Sequence, residues 1–158
     1  MSSLRDKVEN FLYKEARLMD ENRYLEWIEL YADECLYWIP CNEEDYDPTK
    51  HVSMLYADQN VLRSHALRLD EGKAFAQQPK SRMRRIVSNI EIDGAEGDEE
   101  IGVFANFTVT EIRKHEQRMH SGRSQYKLVP ENGSFRIKYK KVNLVSIDEA
   151  QDNVTFLL

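Results

Sequence analysis

Few residues in the chain could do acid–base or metal chemistry, and their spacing decides what each can do. The segment Lys114-His-Glu-Gln-Arg-Met-His120 comes close to the zinc motif H-E-x-x-H. That motif needs histidines four apart, so that both project from one helical face onto the metal. His115 and His120 are five apart, about 500° of helical rotation, which turns them away from each other. The segment also falls between candidate strands, so 114–121 reads as a polar connection. Glu43, Glu44, Asp45 and Asp47 form an acidic loop without the alternating ligand positions and central glycine of a calcium loop. Cys35 and Cys41 are spaced for neither a C-x-x-C redox pair nor a zinc knuckle and read as reduced thiols.

Other sites are excluded by what the sequence lacks. It contains no G-x-S-x-G nucleophile elbow, no G-x-x-x-x-G-K-[ST] phosphate loop and no G-x-G-x-x-G. Two cysteines cannot supply a four-thiolate iron–sulfur set, and the C-x-H and C-x-x-H pairs of a mixed Cys/His cluster do not occur. Four scattered histidines make a two-His, one-carboxylate iron site unconvincing. The best acid–base set is His65 with Asp58, Tyr24 and Tyr37 as neighbours. A proton moved next to a carbonyl needs a buried His or Asp facing an aromatic donor. Its plain alternative is a satisfied core histidine. Lys80, Arg82, Arg84 and Arg85 form a basic cluster without the interleaved aromatics that stack single-stranded bases. It reads as a polar strand start or a contact to an acidic neighbour.

These residues need a scaffold. The 158 residues suffice for one domain over 1–158, and 41% apolar with 32% charged residues is a globular composition. The net charge of −6 argues against nucleic acid as the main partner. No apolar run reaches the roughly 20 residues of a membrane helix. The first residues lack a secretory signal, so the expected location is cytoplasmic.

Leu4, Val8, Phe11, Leu12, Glu15 and Met19 follow the three-four spacing of a helix over 4–20, which Ser2 or Ser3 can cap. Tyr24, Trp27, Ile28 and Tyr31 share one side of a second, shorter helix. Leu36 to Pro40 reads as a strand and 41–51 as a polar loop. Val52 to Tyr56 extends a strand or leads into a third helix. Asp58 caps that helix; Val61, Leu62, His65, Ala66 and Leu69 face inward and Gly72 ends it.

From Arg82 the period becomes two. Ile86, Ser88, Ile90 and Ile92 alternate with Arg85, Val87, Asn89 and Glu91, and Ile101 to Val109 repeats the pattern. Strands 126–129 and 135–145 flank Pro-Glu-Asn-Gly, a hairpin signal. Helices first and a meander of strands afterwards predict an α+β fold with an antiparallel sheet. A sheet this long must curl. The expected shape is a cone, a curved sheet with three N-terminal helices across its mouth.

The stretch "FLYKEARLMDENRYLEWIELYADECLYWIP" from Phe11 to Pro40 resembles the opening of the small (beta) subunit of Rieske-type aromatic-ring-hydroxylating dioxygenases. Glu15, Ala16, Leu18, Asp20, Tyr24, Trp27, Leu30, Tyr37, Trp38 and Pro40 match its pattern in order. Asp47-Pro48, Ser53, Tyr56, Leu62, Arg68, Leu69, Pro79, Ser81, Arg84, Asn89, Gly122-Arg123, Leu144 and Phe156-Leu157 continue the likeness along nearly the whole chain. It departs at His65-Ala66, often Arg-Val in the family, and at Leu144-Val145, often Leu-Asp. Met19 replaces a usual Leu.

The resemblance implies the cone fold of nuclear transport factor and ketosteroid isomerase. It implies a large (alpha) subunit carrying a Rieske 2Fe-2S cluster and a mononuclear iron, and three small subunits under three large ones. It further implies that this chain supplies structure and assembly to an enzyme inserting dioxygen into an aromatic ring, with no catalytic, cofactor or metal residues of its own. Tyr37 and Trp38 point to opposite faces of a strand. The expected contact surface is Trp38, Pro40, the 43–48 loop with Asp45 and Asp47, and Arg82, Arg84 and Arg85. Two other readings stay open: a free-standing isomerase or dehydratase using His65 or Asp58, and a binding module for a small apolar ligand.

Overall fold

Ser3 starts the first helix with a reciprocal cap. Its hydroxyl accepts from the Asp6 amide and its own amide donates to the Asp6 carboxylate, both at 3.1 Å. The helix, α1, runs Leu4–Asp20 and buries Val8, Phe11, Leu12, Glu15, Leu18 and Met19. The computed structural model describes residues 2–41, 53–71 and 81–145. The remaining elements are α2 Tyr24–Ile28, β1 Tyr31–Pro40, β2 Ser53–Asp58, α3 Gln59–Asp70, β3 Arg82–Asp93, β4 Ile101–Arg113, β5 Glu116–Glu131 and β6 Ser134–Leu144. Asp45, Asp47, Gly72, Lys80 and Phe156-Leu157 lie outside the described residues.

The strands form one sheet in the order β2-β1-β6-β5-β4-β3. Every neighbouring pair is antiparallel except β1 with β6, which is parallel. α1 packs on β3 and β6, α3 on β1 and β2, and α2 on α3. The expected α+β cone is the observed architecture: a curved six-stranded sheet with the helices on one side. No helix among the described residues is long and apolar enough to cross a membrane.

Several local expectations need correction. Tyr31 belongs to β1, not to the second helix, because α2 stops at Ile28 and the chain is extended from Tyr31 on. Segment 114–121 is not a connection. Lys114 and His115, with φ of 52° and 66°, make a tight turn, and Glu116 to Ser121 pair with β4. In α3, Val61 is 45% exposed while Leu62, Ala66 and Leu69 carry the contact. The alternation in β3 is out of phase before Ser88. Met83 is buried and Val87 packs on the core, whereas Ile86 is 68% exposed. Asn89 at φ 53° sits in a bulge that restores the phase, so Ile90 and Ile92 turn inward.

Candidate functional site

Glu15 is the charged member of the inward stripe of α1, and the cone is built around it. Lys140 of β6 donates to it at 3.0 Å and Tyr126 of β5 at 2.7 Å. Trp27 Nε1 and the Tyr31 hydroxyl each donate at 3.2 Å. Both charged side chains are 3% exposed. The Lys140 ammonium also lies 5.3 Å from the ring centres of Tyr37 and Tyr126. Trp27 meets Tyr31 edge-on at 4.8 Å and Tyr37 at 6.2 Å.

The electrostatics follow from this enclosure. Burial pushes the Glu15 carboxyl up, but the Lys140 charge and the donated hydrogen bonds outweigh it and hold the carboxyl below its usual range. Burial pulls the Lys140 ammonium down, against the opposing pull of Glu15. The Tyr31 and Tyr126 phenols are driven well above the ordinary value, by burial first and then by the Glu15 charge, and stay neutral donors. The carboxylate is thus saturated with partners. The space beside it, bounded by Met19, Phe107, Ser124 and Tyr126 among others, is about 20 Å³, room for roughly one water molecule. A proton-abstracting group needs substrate within hydrogen-bond reach, and the cluster leaves no such room.

A second ion pair lies close by. Arg85 reaches Asp20 at 2.7 Å, with side-chain exposures of 4% and 5%, and the Arg85 amide donates to the same carboxylate at 3.0 Å. Alternation along β3 is the reason: Arg82 and Arg84 face outward and Arg85 faces the helix. Arg85, expected with them on the contact surface, is a link between α1 and the sheet.

The proposed acid–base pair is not assembled. Asp58 caps α3, accepting from the Val61 amide at 3.0 Å. It borders an outer groove of about 500 Å³ shared with Asp33, Cys35, Lys127 and Lys138. His65 lies two helical turns further along α3, about 10 Å of rise away, and does not line that groove. Tyr24 donates to Asn22 at 3.1 Å, and burial pushes its hydroxyl up to about 12. Tyr37 is fully buried against Trp27 and Tyr31.

Trp38 is on the outer face, as its alternation with Tyr37 requires, but only 7% exposed. Lys141 covers its ring at 4.6 Å, Tyr56 meets it edge-on, and its indole donates to Ser53 at 2.8 Å. Pro40 is buried. Of the residues expected at a contact surface, Arg82 and Arg84 are the exposed ones among those described. Among the described residues, no group of three or more His, Cys, Asp and Glu is placed to hold a metal ion.

The partners of Glu15 could not be read from the sequence. The signal was a carboxylate on an apolar helical stripe, which demands a buried cation and donors from elsewhere in the chain.

Residues 14–147 match the family described as "Ring hydroxylating beta subunit". A relative from Pseudomonas putida, the small oxygenase component of a p-cumate 2,3-dioxygenase system, is 34% identical over 87% of this chain and 77% of its own. The beta subunit of benzoate 1,2-dioxygenase from Burkholderia mallei superimposes with a TM-score of 0.78 at 22% identity, covering 99% of both chains. A naphthalene 1,2-dioxygenase structure with indole in its active site contains a chain that matches with a TM-score of 0.79 at 18% identity, covering 95% of this chain and 83% of that one.

Proposed function

The chain belongs to the ring-hydroxylating beta-subunit family, and on that premise we propose that it is the non-catalytic support of a cytoplasmic aromatic-ring dioxygenase. Its partner is a large oxygenase subunit that holds a Rieske 2Fe-2S cluster and a mononuclear iron. Three copies of each build the assembly, which inserts dioxygen into an aromatic ring in the breakdown of aromatic compounds. The observation that supports the non-catalytic role is the saturated Glu15–Lys140 cluster, which leaves only about 20 Å³ beside its carboxylate.

Coexpression with a Rieske-bearing large subunit tests the reading. The expected result is a hetero-oligomer that oxidises an aromatic substrate, while the isolated chain binds no iron and turns nothing over. Stoichiometric iron or turnover in the isolated chain would overturn it, as would failure to associate with any such large subunit.

A further inference from the structure

The tip of the β4–β5 hairpin carries an arginine without a counter-ion. Lys114 and His115 turn the chain there, and the register sets Arg113 opposite Glu116 and Glu111 opposite Arg118. Residues two apart on a strand share a face, so these four side chains stand on the face that buries Val109. Opposite charges directly across a ladder attract, and the register alone would give two such pairs. The structure joins the side chains otherwise. Glu116 pairs along its own strand with Arg118 at 3.0 Å, and the buried Glu111 accepts from the Ser81 hydroxyl. Arg113 is left over. Its Nη1 is buried, and none of the described residues accepts a hydrogen bond from it.

A buried donor on a charged group demands an acceptor. Arg113 lines a cavity of about 120 Å³ with Glu111, Lys114, Glu116 and Arg118, several times the space that one water needs. Three cations face two carboxylates across it, so the lining has a formal surplus of one positive charge. A single negative charge balances that surplus, and a dianion would exceed it. The parallel N–H donors of a guanidinium match the two oxygens of a carboxylate.

We propose that this cavity binds one small organic carboxylate, held by the Arg113 guanidinium with the exposed Lys114 at the rim. The site lies apart from the Glu15–Lys140 cluster and asks nothing of the large subunit. It therefore stands or falls separately from the reading above.

The test is calorimetric titration of the isolated chain with sodium propionate, against sodium chloride and sodium phosphate at matched ionic strength, with the Lys114 backbone amide followed by NMR. Propionate is expected to saturate one site with a Kd of about 1 mM and to shift that amide. Arg113→Gln should weaken binding more than about tenfold, and Arg113→Lys, which keeps the charge but not the fork, should weaken it less. Arg123→Gln removes an exposed guanidinium elsewhere on β5, paired with Glu91 at 2.9 Å, and should leave binding unchanged. Thermal melts establish folding, and where Arg113→Gln fails to fold, Arg113→Lys and Lys114→Ala carry the comparison. No saturation beyond chloride, phosphate bound more tightly than propionate, or undiminished binding in the Arg113 and Lys114 variants would each sink the proposal. Propionate binding that disappears when the large subunit is added would assign the guanidinium to a carboxylate of that subunit, which also overturns it.

Discussion

Lys140 Nζ lies 3.0 Å from the Glu15 carboxylate although 125 positions separate them in the chain. This contact ties the first helix to the last strand through the middle of the cone. Removing one partner leaves the other charged and buried, which typically costs about 3–5 kcal/mol. Glu15→Leu and Lys140→Met are each expected to fall in that range by urea denaturation. The double variant should lose less than the sum of the singles, because it strands no charge. Strict additivity would mean that the two side chains do not act as a pair.

Much of this arrangement was legible in the sequence, and the rest was not for identifiable reasons. The inward stripe of α1, the Asp58 cap and the Asn132-Gly133 hairpin are set by residues within a few positions of one another. The pairing of Glu15 with Lys140, and of Asp20 with Arg85, depends on register across the sheet, which local spacing does not encode. The phase of β3 failed for a related reason. A bulge at Asn89 adds a residue without changing the composition, and everything before it changes face. His65 sits half-exposed on α3 and is not among the donors to the Glu15 carboxylate.

Gly122 is expected to tolerate no side chain. It lies on β5 opposite Leu144, and a Cβ there would run into the Asn143 carbonyl oxygen and stand 3.1 Å from the Phe107 ring. The backbone of β6 cannot yield without breaking the ladder. Gly122→Ala should therefore destabilise by about 1–3 kcal/mol, the usual cost of overpacking. A chemical-denaturation midpoint equal to wild type would show that the strands part easily there.

Asp58 separates a capping role from a catalytic one. Asp58→Ala removes the acceptor for the Val61 amide and should cost about 1 kcal/mol of stability. Asp58→Asn keeps a good cap without a carboxylate and should recover most of that loss. Complexes formed with the large subunit by either variant should turn over at the wild-type rate. A rate that collapses in Asp58→Asn while the melting temperature holds would restore the acid–base reading.

Histidine titration sets the mild-acid behaviour. Burial, then the Arg68 charge, pulls His65 below its ordinary value of 6.5. His120 moves the same way, by burial first; Glu111 opposes the shift, and Arg118 and Arg85 add to it. In the unfolded chain both return to the ordinary value, so in the window between folded and unfolded values the unfolded state binds more protons. Stability is then fully present above 6.5 and declines as pH falls through that value. Glu15 adds nothing in this window, because its carboxyl titrates below the usual carboxylate range. The melting temperature of the wild-type chain should hold above pH 6.5 and drop as pH falls from there toward about 5.5. His65→Gln should lessen the drop and the variant with His120→Gln added should lessen it further, both read by calorimetry at matched ionic strength. A wild-type profile that is flat or rises toward pH 5.5 would mean that the imidazoles gain a partner for their charge on folding, opposite to the burial that encloses them.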